Sequence, residues 1–577
     1  MNRVDAAPRP KATVRPLDTA REVWPAAETP KRPPLAVAPP TELARPTPGD
    51  KTGPASRLAE SQSRAELSMK AGLGGGAAPA SREVPAEPYA KLSAPVRAHA
   101  EQLEQTLAAR APDLAPIDHR IDPGAMHRSW VQDRRLALAD LAQTPRFARL
   151  PEAEQRTLLD RAARDGRWVA SNVSPLIAQG HWGQLGDKTH EALLERFARS
   201  PDGGDKLAAM LGSSRGQALS GGERNQLARI FAASGSFRGD ESLNRILWSE
   251  LGGQPLLRSR TPSGGRLIDE LERFAQATLD PRVTAAMPKV PGGVDAKTQA
   301  FLDEGHKRDA LGDLLTEVAQ PMVAVGQSNR GTCTVTSHLH NLARRKPAEY
   351  ARLATDLATT GQSRLSSGTT VRVPADAFAP DSSSRSLTER LTQAAMMQAA
   401  RPEDTYHNSH PGPDLRLGTP DDGTPSESGR NPDGFTGANR TGLVDSESVR
   451  ALEALHGRDY QARASSAFDL FGKRMWGESL DEVAQHKLAQ GSPVFASLRW
   501  GKGAHQLEVV GVENGRVLSR NPWGGNASAA ALAAPQPAPN LEGMPPSRTI
   551  VDPRTGLESV SIEDFRSYGL SVIAVGP

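Results

Sequence analysis

The sequence predicts an α+β fold, on three observations. From residue 96 to about 285, apolar residues recur every three to four positions, the period of amphipathic helices. From residue 493 onward they alternate with polar residues around Asn514-Gly515, a two-residue turn that joins antiparallel strands. Between these stretches a helix-period run starts at Cys333, the one cysteine among 577 residues.

Composition sets the outer bounds. A chain this long exceeds one core, so two or more globular parts are expected. Hydrophobic residues make up 37% and aromatic residues 4%, and 52 Gly with 47 Pro place much of the length in loop or tail. The formal charge is +3, from 70 basic and 67 acidic residues. That balance argues against a nucleic-acid partner and against binding to a membrane surface. No stretch approaches the roughly 18 apolar residues of a spanning helix. The N-terminus, MNRVDAAPRPKATVRPLD, lacks the apolar core of a secretory signal peptide. A soluble protein is expected, cytoplasmic or exported by a route that reads no such signal. The Ala-, Arg- and Pro-rich composition points to a bacterial source.

The elements follow in chain order. Residues 1–95 are Pro- and Ala-rich without apolar period, which reads as a disordered tail. Such a tail serves as a secretion or docking segment for a partner, or simply stays solvated. Residues 96–285 read as an all-α domain: Leu103, Leu107 and Leu114 share one face, and Leu136, Leu138 and Leu141 another, with Leu158, Leu159 and Ala162 following. Leu219-Ser220-Gly221-Gly222-Glu223 matches the signature loop of ABC-type ATPases, but the chain has no phosphate-cradling G-x-x-x-x-G-K-[ST] loop. A capping box, Ser220 with Glu223, accounts for it.

Residues 286–577 change character, and a fragment beginning near 286 is expected to fold alone. A helix near Leu311–Val318 leads into the cysteine segment, whose helix closes on Arg344-Arg345-Lys346 before Pro347. Thr369–Val373 reads as a strand, and Ser386 with Glu389 opens another helix. Residues 401–442, rich in Pro, Gly, Asn, Asp and Ser, read as a loop insertion. Pro493–Leu498, His505–Val512, Arg516–Arg520, Ser559–Phe565 and Leu570–Val575 read as strands.

One cysteine cannot close an internal disulfide, but with a distant His and Asn in that order it can form a nucleophilic site. Cys333 lies in Gln327-Ser328-Asn329-Arg330-Gly331-Thr332-Cys333, with Val335, Leu339 and Leu342 following at helical spacing. That puts the thiol at a helix N-terminus, where the dipole and free N–H groups favour a thiolate. His505 opens an apolar strand, and Asn521 ends the strand returning from Asn514-Gly515, so the two side chains are expected to be neighbours. An Asn oxygen can then fix the tautomer of the ring, with Trp523 shielding the bond. His338 and His340 with one cysteine match no zinc-ligand spacing, so no metal is expected.

Gln-x-x-x-x-x-Cys with Gly331 two before the cysteine, Ala504-His505 before an apolar strand, and Arg520-Asn521-Pro522-Trp523-Gly524 together resemble the three motifs of papain-superfamily cysteine peptidases. The last is closest to calpains. The resemblance covers about residues 320–577 and implies a papain-like catalytic domain: a helix carrying the cysteine, packed on an antiparallel sheet or barrel carrying His505 and Asn521. It further implies Cys333 as nucleophile, His505 as acid/base, Asn521 as orienting group and Gln327 as oxyanion donor. The His–Asn separation, 521 − 505 = 16, fits. The Cys–His separation, 505 − 333 = 172, exceeds the family's roughly 130–150, an excess the 401–442 insertion absorbs. Thr334 stands where the family usually has an aromatic residue. What the resemblance implies is cofactor-free hydrolysis of peptide bonds in a protein or peptide substrate. The alternatives are deamidation, transglutamination or acyl transfer, whose families typically carry Asp at the third position, and a catalytically silent interaction module.

Overall fold

The helical periodicity from residue 94 materialises as α1 (Ala94–Ala109), α2 (Pro123–Gln143), α3 (Glu152–Asp165), α4 (Arg167–Ala178), α5 (Asp187–Phe197), α6 (Gly204–Gly212), α7 (Gly221–Ser234), α8 (Phe237–Trp248) and α9 (Leu267–Gln276). The computed structural model describes residues 84–109, 123–200, 202–287, 293–328, 330–381, 383–409, 433–435, 442–464, 479–500, 503–522, 550–551 and 557–576. Most of the expected tail, Leu114, most of the 401–442 insertion and Trp523 lie outside these residues. Leu107, Leu136, Leu138, Leu141, Leu158, Leu159 and Ala162 are buried, and Leu103 packs against the same core. One hairpin interrupts the helices. Strands β1 (Glu250–Leu251) and β2 (Gln254–Pro255) turn at Gly252-Gly253, both at positive φ, where glycine carries no steric cost.

Ser220 caps α7. Its hydroxyl accepts the Glu223 N–H, and the Glu223 carboxylate accepts the Ser220 N–H. The ATPase-like string is thus a helix start, and Glu223 further holds Arg258 and Arg266 at 3.0 and 3.1 Å.

The second half contains α10 (Ala296–Ala319), α11 (Cys333–Arg345), α12 (Pro347–Thr360), α13 (Leu387–Ala400), α14 (Asp445–His456), α15 (Leu480–Ala489) and α16 (Ile562–Tyr568). Two small antiparallel pairs join β3 (Gln362–Arg364) to β4 (Thr370–Arg372), and β5 (Tyr406–His407) to β6 (Gly434–Phe435). The main sheet is built from β7 (Tyr460–Ala464), β8 (Val494–Trp500), β9 (Gly503–Glu513), β10 (Arg516–Arg520), β11 (Ile550–Val551), β12 (Glu558–Ser561) and β13 (Gly569–Val575). Its order is β11-β12-β10-β9-β8-β13-β7, antiparallel throughout. The chain is therefore α+β, as the periodicities predict. Asn514 and Gly515 both take positive φ, 52° and 72°, the geometry of a primed two-residue turn.

The expected strand Ser559–Phe565 is corrected. Strand β12 stops at Ser561, whose hydroxyl accepts the Asp564 N–H at 3.0 Å. A Ser-x-x-Asp helix start wins over the alternating pattern, because capping satisfies a first-turn donor that a strand would not present.

The sheet has two dressed faces. Val494, Ala496, Leu498, Leu507 and Val509 join a core with Leu480, Val483 and Phe565 from α15 and α16. The opposite face meets α11 through buried polar groups. His340, Asn341 and Arg344 of α11 all bond the Glu508 carboxylate of β9, and Ser337 Oγ donates to the Gln506 carbonyl at 3.2 Å. Glu508 is 1% exposed. Burial pushes its carboxyl up, but His340 and Arg344 outweigh this and hold it at about 2. Breaking such a buried pair from one side leaves an uncompensated charge, at about 3–5 kcal/mol. This network locks the cysteine helix to the histidine strand.

One hydrophobic core runs from Tyr89 through Val283 to Leu455, across residue 285. Helices α8 and α10 cross closely enough that a Cβ on Gly312 would lie 3.1 Å from Ser236 Oγ. Buried Ser242 and Thr316 bond at 3.0 Å across the same crossing. Arg273 of α9 pairs with Asp356 of α12 at 2.8 Å, and the Asp280 N–H donates to the Ala358 carbonyl.

Candidate functional site

The site gathers three chain segments distant in sequence. Cys333 is the first residue of α11, so its N–H belongs to the first-turn donors that no helical carbonyl satisfies. Its side chain is half-buried. His505 is the third residue of β9 and is 4% exposed. Asn521 follows β10 directly.

A β-bulge brings the last two onto one face. Up to Leu518 the β9–β10 register pairs Gly511 with Leu518, but beyond it Val509 pairs with Ser519 and Glu508 with Arg520. Continued one step, the shifted register sets Asn521 opposite Leu507, which shares a face with His505 by the two-residue period. Without the shift Asn521 would oppose Glu508, on the other face. The His505 Nε2–H donates to Asn521 Oδ1 at 2.8 Å, leaving Nδ1 for the thiol. The Cys333 thiol and the His505 ring are hydrogen-bonded to each other.

The electrostatics follow from that contact. Burial pushes the Cys333 thiol up, but the hydrogen bond and charge of His505, with the Gln506 N–H behind them, bring it below its ordinary value. Burial pushes His505 down, but Cys333, Asn521 and the charge of Glu558 bring it above its ordinary value. The two shifts favour a thiolate–imidazolium pair.

Gln327 lies in the loop before α11 and is 4% exposed. Its N–H donates to the Pro522 carbonyl at 2.8 Å, stitching the Gln327 loop to the residue after Asn521. Its Nε2 donates to the Arg330 carbonyl at 2.8 Å, which uses one of its two amide protons. Gly331 presents its N–H to Asp433 Oδ1 at 2.8 Å, and Tyr406 donates to the other Asp433 oxygen. Thr332 donates to Gln393 of α13, whose amide donates back to the Gly326 carbonyl. Arg330 is 1% exposed and reaches Asp381 at 3.4 Å. Ser328 takes positive φ, 56°, a backbone cost of about 1–3 kcal/mol that these contacts offset. Thr334 is buried, 3% exposed, beneath the thiol.

The structure thus brings together Cys333, His505 and Asn521, with the Gln327 and Gly331 loop beside them. Sequence reading missed Glu558, which accepts from Asn521 Nδ2 at 3.2 Å, and Asp433, Gln393 and Arg520. Arg520 is 1% exposed and clamps the carbonyls of Met322 and Val325, just ahead of Gln327. It stands in the quoted Arg-Asn-Pro-Trp-Gly string, so its position offered a signal. Glu558 and Asp433 stand in no motif.

Beneath the same loop lie two carboxylates, Glu317 and Glu389. Glu389 accepts from the Gly326 and Ser386 N–H groups at 2.6 and 2.7 Å. Glu317 accepts from the hydroxyls of Ser386, Thr388 and Tyr350. Burial, then mutual repulsion, pushes Glu389 up to about 8, and burial pushes Glu317 up as well. Burial and mutual repulsion thus oppose ionising both carboxyls together. A raised carboxyl means that the folded chain binds more protons than the unfolded one, so this pair lowers stability as pH climbs from the ordinary glutamate range toward about 8. Glu317→Gln is therefore expected to melt higher than wild type at about pH 8.5, with the difference closing near pH 5. Equal melting curves at both pH values would count against the mutual repulsion of the two carboxyls.

No helix among the described residues is long and apolar enough to cross a membrane. No family model, curated protein or solved structure matches this chain.

Proposed function

We propose that the chain is a papain-like cysteine peptidase that hydrolyses peptide bonds in proteins. The observation that carries this reading is the Cys333–His505–Asn521 relay, with the thiol at a helix N-terminus and the ring held by Asn521 Oδ1 at 2.8 Å. The Cys333 thiolate attacks the scissile carbonyl carbon. The Cys333 N–H and the free Gln327 amide proton receive the developing oxyanion, a donor of this kind being worth about 3–4 kcal/mol. The imidazolium of His505 protonates the leaving amine, and the neutral ring then takes a proton from water as it attacks the thioester. Asn521 holds the ring in plane through both steps. An Asn at the third position favours hydrolysis over the deamidase, transglutaminase and acyltransferase alternatives.

Incubating a proteome with the wild-type protein should generate new peptide N-termini, detected by mass spectrometry, that Cys333→Ala does not generate. New N-termini with both proteins, or with neither while deamidated or cross-linked glutamines accumulate, would overturn the reading.

A further inference from the structure

The relay does not stop at Asn521. A carboxamide is nearly symmetric, and flipped it would aim an NH2 group at the His505 Nε2–H, two donors face to face. A group on its far side favours one of the two orientations. The Asn521 Nδ2 donates to Glu558 Oε2 at 3.2 Å, and a carboxylate can only accept. Glu558 reaches this place through the sheet. Strand β12 lies beside β10 with Glu558 opposite Ser519, two residues before Asn521. Burial pushes the carboxyl above its ordinary value, and Asn521, His505 and Arg520 around it pull the other way without cancelling that cost.

We propose that Glu558 is a positioning residue for the Cys333–His505 pair: its carboxylate orders the Asn521 amide so that oxygen, not nitrogen, faces the imidazolium. The proposal rests on the cysteine-peptidase reading and extends the relay to Cys333–His505–Asn521–Glu558. Glu558 touches no reacting atom: it orders Asn521, and its charge also favours the His505 imidazolium directly. Losing it lets the amide turn, so His505 loses an acceptor, its imidazolium is less favoured, and the thiolate loses its counter-charge.

The test uses the full chain and its single thiol. The rate of Cys333 alkylation by iodoacetamide is followed against pH, with kcat and KM on a peptide substrate and a melting curve alongside. Glu558→Leu should move the alkylation midpoint upward and lower kcat by about tenfold or more, with KM little changed, the scale of losing an outer-shell orienting partner. Glu558→Gln keeps an acceptor oxygen for Asn521 but can itself flip and lacks the charge, so it should recover part of both losses. In an Asn521→Ala background Glu558→Leu should cost clearly less than in the wild type, since only its direct charge effect on His505 is left to lose. If Glu558→Leu melts early, Glu558→Ser, polar but too short to reach Asn521, replaces it in the same assay. A wild-type midpoint near the ordinary thiol value of about 8.5 would sink the peptidase reading itself. A depressed wild-type midpoint that the leucine or serine variant leaves in place would sink the Glu558 role alone.

Discussion

Cys333→Ala and His505→Ala are each expected to abolish turnover, the largest effect any substitution in this chain should have. In the proposed mechanism the thiol carries the covalent step, and no second cysteine exists to replace it. In the same mechanism the imidazole supplies both the counter-ion of the thiolate and the proton for the leaving amine. Because the pair acts as a unit, the double variant should be no worse than either single one. Gln327→Ala should lower kcat by about 10²–10³, the scale of one oxyanion donor. Asn521→Ala should be milder, since orientation is lost while the acid/base stays. The pH profile should be bell-shaped. Its acid limb follows the lowered Cys333 thiol, which must be ionised, and its basic limb follows the raised His505 ring, which must be protonated. Full activity in Cys333→Ala or His505→Ala would refute the assignment.

The second large effect concerns the helical half. Residues 286–577 expressed alone are expected to fail to fold cooperatively. Cutting before α10 would strip Leu243, Ile246, Leu271, Phe274 and Val283 from the core they share with Leu311, Leu315, Leu353 and Leu357. Each fully buried side chain of this kind contributes about 1.5–3 kcal/mol, and whole-domain stability is only about 5–15 kcal/mol. The fragment would also lose the Arg273–Asp356 ion pair and the Ser242–Thr316 bond. Circular dichroism and a thermal melt of the fragment decide the matter. A sharp melt with full activity would mean that the helical half is a separable domain after all. Loss of folding would exclude a removable inhibitory prosegment and make α8 and α9 part of the scaffold that holds the Gln327 loop, through α10 and α13.

Much of the site was legible in the chain because its chemistry is local. The thiol at a helix start needs only Cys333 and the apolar residues Val335, Leu339 and Leu342 behind it. The meeting of His505 with Asn521 needs only two alternating runs and a turn at Asn514-Gly515. The capping boxes at Ser220 and Ser386 are likewise four-residue signals, because each hydrogen bond closes within one helical turn. Where two local signals compete, as at Ser561, the period of two pointed to a strand and the cap decided for a helix.

The packing decided the rest. The bulge at Leu518/Ser519 that turns Asn521 to the His505 face leaves no mark in residue types. Glu558, Asp433 and Gln393 join the site through pairings that span 37, 102 and 61 residues. A buried carboxylate or carboxamide is paired by whichever donor the fold brings to it, and sequence distance carries no record of that. The same holds for the core across residue 285. Helical spacing in α8, α9, α10 and α12 tells that each has an apolar face, but only the three-dimensional arrangement tells that those faces cover one another.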